Sequence, residues 1–263
     1  MPKFEVQDGT IDVEQLGSGP DLIVLHSLLT GREAFREVVP TLANSWTVNL
    51  IDLPGFGGST PTTPTIESFA DRIAGLFPMA GFSEDSAVLG NGLGAFVALA
   101  LAARHGHRFD RLVLLGAATG FPPEGRDTFR ALAERARAGG MESIADAAVR
   151  RTFPDEFIAA HPDLADERRR VLLEIDPESF AGACGALSIL DLSPTLPGVA
   201  NPTMLVVGEL DAATPPMLGR AVVEAISDAS LIELPGCGHC PQLEQPGSLL
   251  AALAPFLDLS DAA

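Results

Sequence analysis

The stretch SAVLGNGLGA, residues 86–95, decides the fold of this chain. Its first half is an apolar run that predicts a buried strand, and FVALALAA, residues 96–103, predicts a helix directly afterwards. Glycines occupy the positions two before and two after Gly92. A chain that doubles back from a strand into a helix needs small residues there, because larger side chains collide. The stretch therefore predicts a sharp strand-to-helix turn with Gly92 at its tip.

Two other interpretations of these glycines remain open. Gly90, Gly92 and Ala95 also match G-x-G-x-x-[G/A], the dinucleotide-binding fingerprint, which needs an acidic residue about 20 positions later to bind the ribose. The next predicted strand ends in Gly116-Ala117, with no acid, and the motif comes late in the chain. A glycine-rich turn without any site is the other alternative.

Short apolar runs alternate with helical patterns along the rest of the chain, which predicts an α/β fold with helices on both faces of a mostly parallel sheet. Residues 4–7 and 11–16 alternate in the manner of an edge hairpin. Six further runs predict buried strands, at residues 22–25, 48–51, 87–89, 112–115, 204–207 and 231–234. The predicted sheet therefore has eight strands, and residues 249–257 predict a closing helix.

The segment 121–202 differs in kind, because it shows only helical patterns. These are predicted to break at Gly139-Gly140, Pro154, Pro162 and Pro177. A helical insertion between two strands predicts a cap over the carboxyl ends of the sheet, where ligands bind. The predicted domains are a core of residues 1–120 and 203–263 and a helical cap of residues 121–202.

Charge and residue usage exclude several functions. Acidic residues outnumber basic ones 35 to 17, and the net charge of −18 repels phosphate backbones and anionic membranes, so neither nucleic acid nor a membrane is an expected partner. Residues 1–6 lack the pattern of a signal peptide, which predicts a cytoplasmic protein. Cys237 and Cys240 form a C-x-x-C that straddles a Gly-His after a strand, an arrangement that does not favour a redox or metal site.

Later strand ends supply polar partners for the turn at Gly92. Asp211 follows the predicted strand at residues 204–207, and His239 follows the strand at residues 231–234 in a glycine-rich loop. Alone, such an aspartate is more often a helix cap and such a histidine a loop contact. Their joint order, turn residue then acid then histidine, favours a catalytic site with Gly92 at the nucleophile position.

The segment His26-Ser27-Leu28-Leu29 follows the first buried strand. We expect the backbone amides of Leu28 and Leu93 to form an oxyanion hole, and His26 and Ser27 to contact the substrate. Ser27 is also an alternative source of a nucleophilic hydroxyl. Its competing role is to cap a helix that begins near Gly31.

These motifs resemble the α/β-hydrolase superfamily, and within it the 3-oxoadipate enol-lactonase branch. The resemblance covers nearly the whole chain, including residues 180–187, 191–192 and 244–246. It implies hydrolysis of an ester, lactone or related carbonyl compound, without a cofactor, by a Ser-His-Asp triad. By position Asp211 and His239 match this triad, whereas Gly92 replaces the serine.

Glycine has no atom that attacks a carbonyl, so three interpretations remain. The first is a hydrolase of small molecules whose covalent catalysis is impaired or was engineered out. The second is a non-covalent lyase, isomerase or oxygenase in which Asp211 orients His239 as a general base for a substrate proton or a water. The third is a non-catalytic binding protein. Retention of Asp211 and His239 favours an enzyme, and hydrolysis is the expected reaction.

The predicted cap is rich in arginine. It holds nine of the chain's 17 basic residues, namely Arg126, Arg130, Arg135, Arg137, Arg150, Arg151, Arg168, Arg169 and Arg170. We expect arginines of the cap to attract an acidic substrate such as a carboxylated lactone.

Overall fold

The computed structural model describes residues 2–6 and 9–260. In this part of the chain eight strands form one sheet in the order β1-β2-β4-β3-β5-β6-β7-β8. The strands are β1 (Lys3–Val6), β2 (Gly9–Gly17), β3 (Asp21–Leu25), β4 (Thr47–Ile51), β5 (Ala87–Asn91), β6 (Arg111–Leu115), β7 (Thr203–Gly208) and β8 (Ala229–Leu234). The β1–β2 and β2–β4 pairs are antiparallel and the others are parallel, which confirms the predicted sheet. Gln7, which was predicted to end the first strand, lies outside the described residues.

Helices cover both faces of the sheet. They are α1 (Val39–Leu42), α2 (Ile66–Ala80), α3 (Leu93–His105), α4 (Pro123–Gly139), α5 (Ala145–Thr152), α6 (Asp155–Ala160), α7 (Pro162–Leu173), α8 (Pro177–Ser188), α9 (Pro216–Ala225), α10 (Pro241–Glu244) and α11 (Pro246–Leu253). Alternate residues of β3 enter different apolar clusters, Ile23 and Leu25 on the side of α2 and α3, Leu22 and Val24 on the side of α1 and α11. A strand buried on both faces requires the unbroken apolar run seen in the sequence.

The segment between β6 and β7 contains helices α4 to α8, and we call residues 123–188 the helical insertion. Its helix boundaries coincide with the predicted breaks. Helix α4 ends at Gly139, Pro154 directly precedes α6, and Pro162 and Pro177 begin α7 and α8. Proline suits the first turn of a helix because its missing N–H has no partner there in any case.

Two helices differ from expectation. Helix α2 was not predicted, and Pro78 within its last turn interrupts the helical pattern. The closing helix α11 ends at Leu253, four residues earlier than predicted. Pro255 cannot donate a backbone hydrogen bond to continue it. None of the helices in the described residues combines the length and the apolar composition that crossing a bilayer requires.

The sharp turn predicted at Gly92 is present between β5 and α3. Gly92 has φ 52° and ψ −112°, a conformation that strains residues with a side chain. A Cβ on Gly94 would lie 2.2 Å from the carbonyl oxygen of Leu25, and one on Gly90 would lie 2.3 Å from the carbonyl oxygen of Gly94. Both distances are far below van der Waals contact, so the flanking glycines are a steric requirement of the turn.

The turn lies where the strand order reverses. From β3 the chain continues to β4 on one side and to β5 on the other. Loops that leave β3 and β5 therefore diverge and open a crevice at the carboxyl edge of the sheet. The amide of Gly94 donates to the carbonyl of His26 at 3.0 Å and joins the two loops.

We predict opposite effects for alanine at two helical glycines. Gly94→Ala places a methyl group against the backbone of β3 and should lower the free energy of unfolding by about 1–3 kcal/mol. Gly185→Ala, in α8, meets no atom within 4 Å and should raise it by about 0.5–1 kcal/mol. Urea denaturation of the two variants measures both changes. Equal effects would contradict the steric account of the turn.

Candidate functional site

Asp211 and His239 form a buried pair at the carboxyl edge of the sheet. Asp211 follows β7 and His239 follows β8, and these strands are parallel neighbours, so their loops emerge side by side. The Nδ1 atom of His239 is 2.8 Å from Oδ2 of Asp211. The side chains are only 4% and 1% exposed. The structure thus brings together the acid and the histidine that the sequence singled out.

Hydrogen bonds hold the Asp211 carboxylate in its charged form. Oδ1 accepts from the amides of Ala213 at 2.7 Å and Thr214 at 2.8 Å, and Oδ2 accepts from the Thr214 hydroxyl at 2.8 Å. Burial alone raises the pKa of Asp211, but nearby His239 and these donors outweigh it and bring the pKa below its usual value. A carboxylate at Nδ1 makes that nitrogen the donor and leaves the Nε2 lone pair available as a base.

Gly116, at the end of β6, leaves room for this pair. A Cβ there would lie 2.6 Å from the Thr214 hydroxyl oxygen and 3.0 Å from Oδ2 of Asp211. In the sequence, Gly116 indicates only that no acidic residue ends this strand, which disfavours a dinucleotide site. Its steric role depends on contacts between different strands, which a single sequence does not display.

Two polar side chains, the buried Asn91 and the partly buried Glu244, fix the backbone around His239. Nδ2 of Asn91 donates to the carbonyl of His239 at 3.1 Å and ties the histidine loop to the end of β5. The two carboxylate oxygens of Glu244 accept from the amides of Gly238 at 2.7 Å and Cys240 at 2.9 Å. Burial raises the pKa of the Glu244 carboxyl, although both amides oppose this. The sequence indicated Glu244 only through family resemblance.

Gly92, Ser27 and His239 meet at one point. The Ser27 hydroxyl oxygen is 3.4 Å from Nε2 of His239. A Cβ on Gly92 would lie 2.4 Å from the same hydroxyl oxygen and 2.8 Å from Nε2. Leu28 and Leu93 line the space beside them. In the described residues, no protein acceptor is recorded for the backbone amides of Leu28 and Leu93.

These residues border a pocket between the sheet edge and the helical insertion. Its lining residues are Ser27, Leu28, Leu29, Gly92, Leu93, Phe96, Phe121, Phe129, Arg151, Leu187, Ala213, Thr214 and His239. Most of the lining side chains are apolar, so charges inside the pocket interact more strongly than they do in water.

Arg151 is the basic side chain in this lining. Its guanidinium carbon lies 5.4 Å from the centroid of the Phe129 ring, and no ion pair or hydrogen bond is recorded for it among the described residues. Burial lowers the pKa of Arg151, whereas the negative charge of Asp211 opposes this. Other arginines of the insertion are paired at the surface, such as Arg137 with Glu178 and Arg169 with Glu142.

His26, which was expected to contact substrate, is directed elsewhere. Its Nδ1 lies 2.8 Å from the carbonyl oxygen of Ser27, and its Nε2 accepts from the amide of Leu53 at 3.1 Å. Burial lowers the pKa of His26, outweighing the opposing effects of the Ser27 carbonyl and Asp52. A neutral ring with both nitrogens engaged braces the loop after β3, and His26 is not among the residues that line the pocket.

Cys237 and Cys240 are buried free thiols beside the histidine loop. Burial raises the pKa of both, which disfavours the thiolate needed for redox or metal chemistry. Within residues 2–6 and 9–260, no three histidine, cysteine or carboxylate side chains converge in a metal-binding arrangement.

Comparison with known proteins gives matches along nearly the whole chain. A sequence model of the Alpha/beta hydrolase family matches residues 22–253. The pimeloyl-[acyl-carrier protein] methyl ester esterase of Chromobacterium violaceum is 31% identical over 256 residues, 94% of this chain and 97% of that protein.

Solved structures agree with this match. The enol-lactonase from Burkholderia xenovorans is 28% identical with a TM-score of 0.91, covering 98% of this chain and 100% of that one. A thermophilic esterase from Thermogutta terrifontis, described with malate bound, is 28% identical with a TM-score of 0.89, covering 98% and 97%. The resemblance to the α/β-hydrolase superfamily is confirmed, and this chain is an enzyme of the α/β-hydrolase family.

Proposed function

We propose that this protein hydrolyses a small ester or lactone that carries a carboxylate, without a cofactor, in the pocket between Gly92 and His239. The observation that carries this proposal is the buried Asp211–His239 pair, whose histidine borders that pocket. Relatives similar along the whole chain are named as esterases and as an enol-lactonase, which supports the same class of reaction.

His239, oriented by Asp211, acts as a general base in this proposal. Nε2 of His239 takes a proton from the attacking hydroxyl as that oxygen adds to the substrate carbonyl, and Asp211 stabilises the resulting imidazolium. In this proposal the backbone amides of Leu28 and Leu93, two residues that line the pocket, donate to the oxyanion that develops. Gly92 itself supplies no attacking atom, so a covalent intermediate at that position is excluded.

Arg151 defines the substrate class. A guanidinium in a largely apolar pocket, with an aromatic ring but no ion pair or hydrogen bond from the described residues, favours a ligand that brings an anion. A carboxylate accepts two parallel hydrogen bonds from arginine, which fixes its orientation as well as its position. The proposed substrate therefore binds its carboxylate at Arg151 and presents its carbonyl to His239.

We expect the wild-type protein to hydrolyse the p-nitrophenyl half-ester of succinate with a higher kcat/KM than the uncharged p-nitrophenyl butyrate. Arg151→Met keeps much of the side-chain volume but removes the charge, and should reduce this preference about 10- to 100-fold. Initial rates with the two esters measure it.

Arg150→Met is the matched control, because Arg150 is the exposed neighbour in the same helix. It should leave the preference unchanged. An absent carboxylate preference in the wild type, or an equal loss in both variants, argues against Arg151 as the carboxylate site. Tight binding of the half-ester without turnover would replace the hydrolase proposal with a binding function.

Glu244→Gln tests the histidine loop. Glutamine offers one acceptor oxygen to the two amides that flank His239, so one partly buried N–H faces an NH₂ group. We expect kcat to fall about tenfold with little change in KM, and the free energy of unfolding to fall by about 1–3 kcal/mol. Steady-state kinetics and urea denaturation measure the two effects.

Glu224→Gln, on the exposed side of α9, is the control and should change neither quantity. A Glu244→Gln variant with normal kcat would show that the two hydrogen bonds do not position His239 for catalysis.

A further inference from the structure

The hydroxyl nearest to the proposed base belongs to Ser27. Its oxygen lies 3.4 Å from Nε2 of His239. Among the described residues, the Ser27 hydroxyl makes no other hydrogen bond. The side chain is buried at the wall of the pocket. Nucleophile–base hydrogen bonds are often long in the absence of substrate and shorten in the reacting complex.

The backbone of Ser27 is held in place without help from its hydroxyl. Its amide donates to the Thr30 hydroxyl at 3.3 Å, and its carbonyl accepts from the Thr30 amide at 3.4 Å. The expected role as a helix cap is not seen. The short 3₁₀ helix after this loop begins at Arg32, and its cap residue, Gly31, receives no side-chain cap. The hydroxyl is therefore available for His239.

Ser27 and a side chain at position 92 compete for the same space. A Cβ on Gly92 would lie 2.4 Å from the Ser27 hydroxyl oxygen, which is too close for two atoms that are not bonded to each other. With glycine at position 92, the Ser27 hydroxyl enters the space that a residue on the turn would fill. It does so on the side that faces Nε2 of His239.

The oxyanion donors suit a nucleophile at either position. The amide of Leu93 follows Gly92, and the amide of Leu28 follows Ser27 in the same way. Both residues line the pocket beside the Ser27 hydroxyl. An oxyanion formed by attack from Ser27 therefore develops next to the amide of Leu28, the residue that follows the nucleophile. A nucleophile on the strand-to-helix turn has the same relation to the amide of the next residue.

We propose that Ser27 is the nucleophile of this enzyme and replaces the hydroxyl that Gly92 lacks. The proposal rests on the ester hydrolysis proposed above. The Ser27 O–H bond breaks, its proton passes to Nε2 of His239, and the oxygen forms a bond to the ester carbonyl carbon. The bond to the leaving alcohol then breaks as His239 returns the proton to it. A water, deprotonated in turn by His239, cleaves the acyl-Ser27 ester and restores both side chains.

A fluorophosphonate probe tests this directly. Such a probe forms a bond from phosphorus to a nucleophilic serine oxygen with loss of fluoride. We expect one adduct on the wild-type protein, mapped by peptide mass spectrometry to Ser27. Ser27→Ala and His239→Ala should abolish it, and Ser193→Ala, which removes an exposed hydroxyl outside the pocket, should retain it. No adduct, or an adduct on another residue, overturns the proposal.

Ester kinetics separate this inference from the proposed function. Ser27→Ala should lower kcat about 10³-fold or more with a smaller change in KM, and Ser27→Gly serves as the second variant if the first does not fold. If the kcat of Ser27→Ala stays within tenfold of the wild type, a water attacks the ester directly. This result rejects Ser27 as the nucleophile but supports the proposed hydrolase function. An adduct on Ser27 without ester turnover supports Ser27 as a nucleophile but rejects the proposed hydrolase function.

Transferring the hydroxyl from residue 27 to residue 92 gives a second test. Gly92→Ser alone places its side chain against Ser27, whereas Ser27→Ala/Gly92→Ser removes that conflict. We expect the double variant to exceed Ser27→Ala in kcat by about 10²-fold or more, with the fluorophosphonate adduct now on residue 92. A double variant as inactive as Ser27→Ala contradicts an exchange of one nucleophile for the other.

Discussion

The approach of helix α3 to strand β3 is the constraint on which the site depends. No side chain fits between Gly94 and the carbonyl of Leu25, so the helix begins as close to the sheet as a backbone allows. This closeness forces the chain to reverse within one residue after β5. It also places the tip at Gly92 beside the loop that leaves β3. A helix held even one side chain farther away would separate Gly92 from Ser27 and open the pocket floor.

Parallel strands do the rest of the positioning. The loops after β3, β5, β7 and β8 leave the same edge of the sheet and contribute Ser27, Gly92, Asp211 and His239. The supporting residues serve the acid and the histidine. Thr214 and Gly116 shape the surroundings of Asp211, and Asn91 and Glu244 fix the backbone around His239. This support involves no side chain at position 92, so His239 is held in place whichever hydroxyl it serves in the proposed role as a base.

The order and identity of the main elements follow from local patterns. Buried parallel strands need unbroken apolar runs, and the turn at Gly92 needs glycines at fixed spacing, so both are visible in the sequence. Helix α2, which carries Pro78 within its last turn, was not singled out in the sequence. Residues defined by their neighbours across the fold escaped prediction as well. Arg151 is one of nine similar arginines until the pocket separates it from those paired at the surface.

His26 shows the converse case, a residue that the sequence singled out and that lies away from the pocket. Its place in the chain, directly before Ser27, predicted a contact with substrate, yet its ring engages the carbonyl of Ser27 and the amide of Leu53. Sequence neighbours in a tight loop point in different directions, and only the fold decides which of them reaches the pocket. In this loop the serine does so and the histidine braces it from behind.

The backbone angles of Gly92 bear on the balance between activity and stability. A serine at φ 52° and ψ −112° would hold strain of order 1–3 kcal/mol, which the surrounding fold has to sustain. Glycine adopts these angles freely, although it loses more chain entropy on folding. The turn of this enzyme therefore has the shape that would strain a serine, without carrying that strain. Proteins commonly trade robustness for a reactive, strained centre, and glycine at position 92 avoids the stability cost of that strain.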